Sequence, residues 1–152
     1  MTAMNELLWN KIDGPGKKRL LWMLWLITWV GLLAGLLDQF YYQYVVLFSA
    51  AHAVFILFLF GFDAKPFPAQ VRIAYFLWVA AGTYVPYMTV LMYITTIGLA
   101  TNLFAGYCPL ARMLYLLPWN RAEAFSMQLV MNVFLTPPVS GQFKPRSSVA
   151  NA

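Results

Sequence analysis

IAYFLWVAAGTYVPYMTVLMYITTIGLATNLFAG, residues 73 to 106, carries no charged side chain along its whole length. As one α-helix it would be about 50 Å long, against a bilayer hydrocarbon core of ~30 Å. It is therefore either a single long, kinked and tilted helix or a hairpin of two. GTYVPY (82–87) lies near its middle. Gly82 and Pro86 break helix there, and Tyr84 and Tyr87 suit a membrane–water boundary.

The rest of the chain supplies the context. Of 152 residues, 62% are hydrophobic, 18% aromatic and only 10% charged, where a soluble domain carries about 25% charged residues. This predicts an all-α, polytopic transmembrane helical bundle. LLWMLWLITWVGLLAGLL (20–37) is a first apolar span and Tyr42 to Phe62 a second. DAKPFPAQVR (63–72), with two prolines, reads as the loop after it. Net charge is +5, from ten Lys and Arg against five Asp and Glu. Because the basic residues flank apolar spans, they point to lipid headgroups and topology control rather than nucleic acid.

Charge placement decides between hairpin and single helix. With the N-terminus inside and four spans, at about 20–37, 42–62, 72–85 and 87–106, all ten Lys and Arg fall in the inner segments 1–19, 63–72 and 107–152. With three spans, four of the ten move outside. The positive-inside rule selects four spans and cytoplasmic N- and C-termini. Lys17, Lys18, Arg19, Arg72, Arg112 and Arg121 are then the headgroup and topology residues. The third span is short, so Arg72 is expected to snorkel to the interface. Interfacial helices are expected at both ends, over residues 4–12 and 122–135. In the second, Phe125, Leu129 and Val133 would share the apolar face. Residues 136–152 read as a polar tail.

Candidates for chemistry are few. His52, the lone histidine, lies mid-span in FSAAHAVF among small residues. It could ligate a haem iron or a chlorophyll-type magnesium, or bond to Thr28, Asn102 or a tyrosine on a neighbouring helix. Gly31 and Gly35 form a GxxxG pair for close helix approach, with Trp22, Trp25 and Trp29 as an aromatic stripe on a different side. Thr95, Gly98, Asn102 and Ala105 form a small, polar packing seam. The five carboxylates are scattered, with no local partner or nucleophile set, so catalysis by this chain is not expected. No metal site is expected either.

The segment after the uncharged run is GYCPLARMLYLLPWNR, 106 to 121. Gly106 can end a helix, Pro109 and Pro118 cannot continue one, and Trp119 suits the aromatic belt. Cys108 reads as a small interfacial residue, and Arg112 is the neighbour that would lower its pKa. This segment, with QVRIAYFLWVAAG (70–82), resembles a small two-helix membrane domain of bacteria that occurs alone or fused to a rhodanese sulfurtransferase. The resemblance covers residues 70 to about 121. It implies a bacterial inner membrane and a link to sulfur compounds. The rhodanese nucleophile belongs to the soluble domain, so Cys108 is not expected to be it.

The composition, the short loops and the lack of a polar-cavity pattern along the chain lead to an expected function. It is that of a non-catalytic accessory or assembly subunit of a larger membrane complex, in contact with lipids and other integral subunits. A membrane component of sulfur-compound handling or transport is the first alternative. A haem- or pigment-binding subunit built on His52 is the second.

Overall fold

A computed structural model describes residues 14–121 and 124–137. Among them every regular element is helical: α1 Gly14–Leu37, α2 Tyr41–Leu59, α3 Phe67–Tyr84, α4 Val90–Ala105, α5 Pro109–Tyr115 and α6 Met127–Leu135. Lys18–Leu37 and Tyr41–Leu59 are each long and apolar enough to cross a membrane. The helices α4 and α5, bent by 96° at their junction, pass the same test only when taken together. The helix expected over 4–12 and the tail beyond Pro137 lie outside the described residues, as does the side chain of Lys17.

The uncharged run is two helices. α3 ends at Tyr84, where Val85 turns extended (ψ 125°) ahead of Pro86, the conformation that a following proline imposes. α4 ends as the sequence predicts. Gly106 adopts the left-handed conformation (φ 67°), and the Gly106 and Tyr107 amides donate back to the Asn102 and Thr101 carbonyls.

Three boundaries differ from expectation. α1 begins at Gly14, ahead of the expected 20, because Pro15 in the first turn removes only an N–H that has no helical partner. α2 stops at Leu59, short of 62. Gly61 (φ 68°) and Phe62 (φ 61°) are left-handed, and the Phe62 amide returns to the Leu57 carbonyl at 2.7 Å. DAKPFPAQVR is only half loop: Pro66 is extended, Pro68 falls in the first turn, and α3 begins at Phe67. α3 therefore has 18 residues, about 27 Å of helix. Arg72 moves from a span boundary into the body of the helix.

α1 packs on α2 and α4, α2 on α3, and α3 on α4, closing a four-helix arrangement. Each of the four helices contributes a fully buried large apolar side chain: Leu32, Ile56, Val79 and Met92. Glycines set two of the close approaches. A Cβ at Gly35 would meet the Tyr42 ring at 2.2 Å, and one at Gly31 would meet Val45 at 2.9 Å, so the GxxxG pair seats α2 on α1. Gly82 does the same for Met92 across α3 and α4, at 2.7 Å. The seam on α4 behaves differently. A Cβ at Gly98 would meet only Pro109, at 3.8 Å, and Ala105 is exposed.

The polar glue between helices is tryptophan. Thr28, Thr83, Thr95 and Thr96 all donate to carbonyls one turn back in their own helices. Trp22 Nε1 donates to the Leu103 carbonyl at 3.3 Å, and Trp29 Nε1 to the Thr96 carbonyl at 3.2 Å. Donors seven apart on α1 meet acceptors seven apart on α4 in reverse order, which fixes the two helices as antiparallel. Trp25 points elsewhere, into the bundle.

Gly35→Ala is expected to lower the thermal midpoint of the detergent-purified protein, at a cost of about 1–3 kcal/mol for overpacking against the buried Tyr42 ring. Gly98→Ala should leave it unchanged or slightly raised, since the added methyl makes only ordinary contact. Circular dichroism melts of the two variants side by side check this.

Candidate functional site

The exit from α4 is built by its sequence residue by residue. Gly106 reverses the chain, and Cys108, in extended conformation, N-caps α5 with its Sγ accepting from the Ala111 amide at 3.4 Å. Pro109 opens α5 at its first position, where its fixed φ suits a helix start. After α5 and Pro118, Trp119 Nε1 and Asn120 Nδ2 both donate to Gln70 Oε1, at 3.2 and 2.7 Å. These bonds fasten the exit to α3, while the Trp119 ring stays 70% exposed.

Arg112 does not reach out to headgroups. It is 2% exposed, and its guanidinium lies 4.1 Å over the Tyr107 ring. It donates to the Val133 carbonyl and, at 3.2 Å, to the Pro137 carbonyl; Tyr107 donates to the Phe134 carbonyl at 3.0 Å. These acceptors lie at the C-terminal end of α6, where unpaired carbonyls and the helix dipole favour a cation. Arg112 and Tyr107 thus cap α6 from another element. α6 is also shorter than the expected 122–135. Ser126 caps it by accepting from the Leu129 amide at 3.1 Å, and it begins at Met127. Leu129 and Val133 pack on Tyr115, as their spacing predicts. Phe125 lies outside the helix, exposed, with Arg121 over its ring at 5.6 Å. Lys18 and Arg19 are exposed at the start of α1, and Arg121 is half-buried.

Arg72 is the second correction. It does not snorkel: it is 9% exposed, with its guanidinium carbon 5.0 Å from the Trp25 ring centroid. NH1 reaches only the Pro68 carbonyl of its own helix, at 3.5 Å. Among the described residues no carboxylate pairs with it. Asp38 and Asp63 instead accept from the Phe40 and Lys65 amides in exposed turns.

Trp25 is the hub of the interior. Its ring meets His52 edge-on at 5.3 Å and Tyr75 at 4.9 Å. His52 is 6% exposed and also faces Phe48. The expected bond from His52 Nε2 to Thr28, Asn102 or a tyrosine is not formed among the described residues, and Thr28 donates to the Leu24 carbonyl. Ser49 lies one turn before His52 on the same buried face of α2, as Tyr75 follows Arg72 on α3. Ser49 Oγ, His52 Nε2, Arg72 Nε and Tyr75 Oη are the buried side-chain atoms that find no hydrogen-bond partner among the described residues. An unpartnered buried group costs about 1–3 kcal/mol, and three of the four, His52, Arg72 and Tyr75, gather around Trp25.

Beside this cluster lies a cavity of about 100 Å³, walled by α3, α4 and the start of α5. Trp25, Tyr75, Thr95, Gly98, Asn102 and Cys108 line it, with Trp78 and aliphatic side chains completing the wall. Gly98 and Asn102, read from sequence as packing residues, are thus brought together with Cys108. Burial pushes the Cys108 thiol above its ordinary range, against the opposing pull of the Ala111 amide and of Arg72. The thiol is therefore neutral at neutral pH, since burial outweighs the smaller opposing pull of Arg112 as well. The sequence reading missed the roles of Trp25, Ser49, Arg72 and Tyr75. The available signal was the pair of polar i, i+3 steps, Ser49–His52 and Arg72–Tyr75.

No family model, curated protein or solved structure matches the chain.

Two outcomes follow for Cys108, the sole cysteine. Its maleimide labelling should rise with pH around a midpoint above the ~8.5 of a free thiol, because burial disfavours the reactive thiolate. Arg112→Gln, which releases α6 and the Tyr107 contact, should speed labelling several-fold at fixed pH. Stopped reactions analysed by intact mass measure both rates.

Proposed function

We propose that this chain is a four-span bacterial inner-membrane protein, both ends cytoplasmic, that binds and handles a small sulfur-containing solute inside its bundle without catalysis of its own. The observation that carries the reading is the cavity beside α3 and α4, in which a thiol, an amide, a phenol and the Thr95 hydroxyl interrupt an otherwise apolar wall that opens past the exposed Ile94 and Met113. Such a combination is what small-molecule sites are made of. It also supplies what the sequence pattern along the chain lacked, and for that reason solute handling displaces the accessory-subunit expectation. The resemblance of residues 70–121 to a rhodanese-linked domain names the sulfur class.

The topology is supported by the packing. The antiparallel α1 and α4 bring the start of α1 and the end of α4 to one end of the bundle. Lys18, Arg19, Arg112 and Arg121 gather there, whereas the turns 38–40 and 85–89 carry no Lys or Arg. α3, lengthened by its early start to 18 residues, approaches the length of a third crossing, and the fourth would be α4 continued past the bend by α5.

Cys108→Ser and Asn102→Ala are expected to slow the uptake or release of sulfide, thiosulfate or thiocyanate by cells several-fold. Gly98→Val, which fills the cavity where a Cβ has room, should do the same. Wild-type rates in all three variants at normal membrane levels would refute the reading.

A further inference from the structure

Behind two residues of the cavity wall, Trp25 and Tyr75, lies a buried cation that the sequence did not announce. We infer that Arg72, Tyr75, His52 and Trp25 form the seat for one small, weakly hydrated, monovalent anion; this rests on the solute-handling reading and names the charge class of the ligand.

Charge comes first. Arg72 is nine-tenths buried, and among the described residues its guanidinium has a ring face and one long bond to its own helix, but no carboxylate. A desolvated cation without a counter-charge is among the most costly groups a fold can hold. The Cys108 thiol, kept neutral by burial, does not supply the missing negative charge. An anion does.

Donor chemistry points the same way. Of the four unpartnered atoms, Arg72 Nε can only donate, Tyr75 Oη and Ser49 Oγ can donate, and His52 Nε2 donates in one of its two neutral tautomers. None is an obligate acceptor, so the set can turn entirely toward negative charge. A cation there would face the guanidinium.

Size and valence follow from the surroundings. One guanidinium balances one negative charge, and a divalent ion would leave an uncompensated charge in a medium of low dielectric. The adjoining wall is aromatic and aliphatic apart from a few polar atoms. It offers little to replace a tightly held hydration shell, so an ion that sheds water easily is favoured. Trp25 and Tyr75 belong both to the seat and to the cavity wall, and through the cavity the seat communicates with Cys108.

The test uses the full chain in detergent and chloride-free gluconate buffer, titrated calorimetrically with iodide, bromide, fluoride and sulfate. Saturable binding of one iodide per chain is expected, weaker for bromide and undetectable for fluoride and sulfate. Arg72→Gln should weaken iodide at least roughly tenfold, as expected for loss of a charged hydrogen-bond donor. Tyr75→Phe should weaken it several-fold, while its melting temperature in anion-free buffer stays level or rises, since it deletes an unpartnered hydroxyl. Where Arg72→Gln does not fold, Tyr75→Phe decides. Absence of saturable iodide binding, equal binding in wild type and Tyr75→Phe, or tighter binding of sulfate each overturns the seat. If the seat fails while sulfur handling still depends on Cys108, the function above stands. If iodide binds as expected while Cys108, Asn102 and Gly98 variants behave as wild type, the seat stands and that function falls.

Discussion

Hydrogen-bond donors in this protein have few side-chain acceptors to meet, and main-chain carbonyls take up the difference. Only five carboxylates occur in the sequence. Trp22 and Trp29 therefore bond α4 through the Leu103 and Thr96 carbonyls, and Arg112 and Tyr107 bond the end of α6 through three more. A helical carbonyl keeps a second lone pair after serving its own helix, and a terminal carbonyl keeps both. The architecture is held by these leftover acceptors together with the glycine contacts. The exception is Arg72, which among the described residues meets a single carbonyl, that of Pro68, at 3.5 Å.

How far this was legible depends on the range of the interaction. Gly106, Pro109 and the GxxxG pair act on near neighbours or on a face of one helix, and their spacing announced them. The break in the uncharged run was visible in Gly82 and Pro86 for the same reason. The start of α3 was misplaced because two prolines within three residues read as a loop, although one of them sits comfortably in a first turn. That small displacement changed the meaning of Arg72 altogether, from a residue at the water boundary to one inside the bundle.

Arg112 shows the other way a reading fails. Beside a tryptophan and prolines at the end of an apolar helix, an arginine usually addresses lipid. Here its acceptors come from Val133 and Pro137, more than twenty residues onward, across a turn that no local pattern defines. The cluster around Trp25 is non-local in the same sense. Its members come from three helices, and each alone looks like an ordinary packing residue. What separates it from packing is that its polar atoms have been withdrawn from water without being paired within the described fold.

The two indole bonds between α1 and α4 also bear on how such a sequence can change over time. Their common spacing is close to two helical turns, so both donors leave α1 on one side. Replacing a residue between Trp22 and Trp29 leaves that alignment intact. Inserting or deleting one turns the second indole by about 100° and removes it from its acceptor, unless α4 changes length in the same place. The pair works as a length gauge. What the gauge fixes is a residue count, between the two tryptophans and between the two carbonyls that receive them, and not the identity of the residues in between.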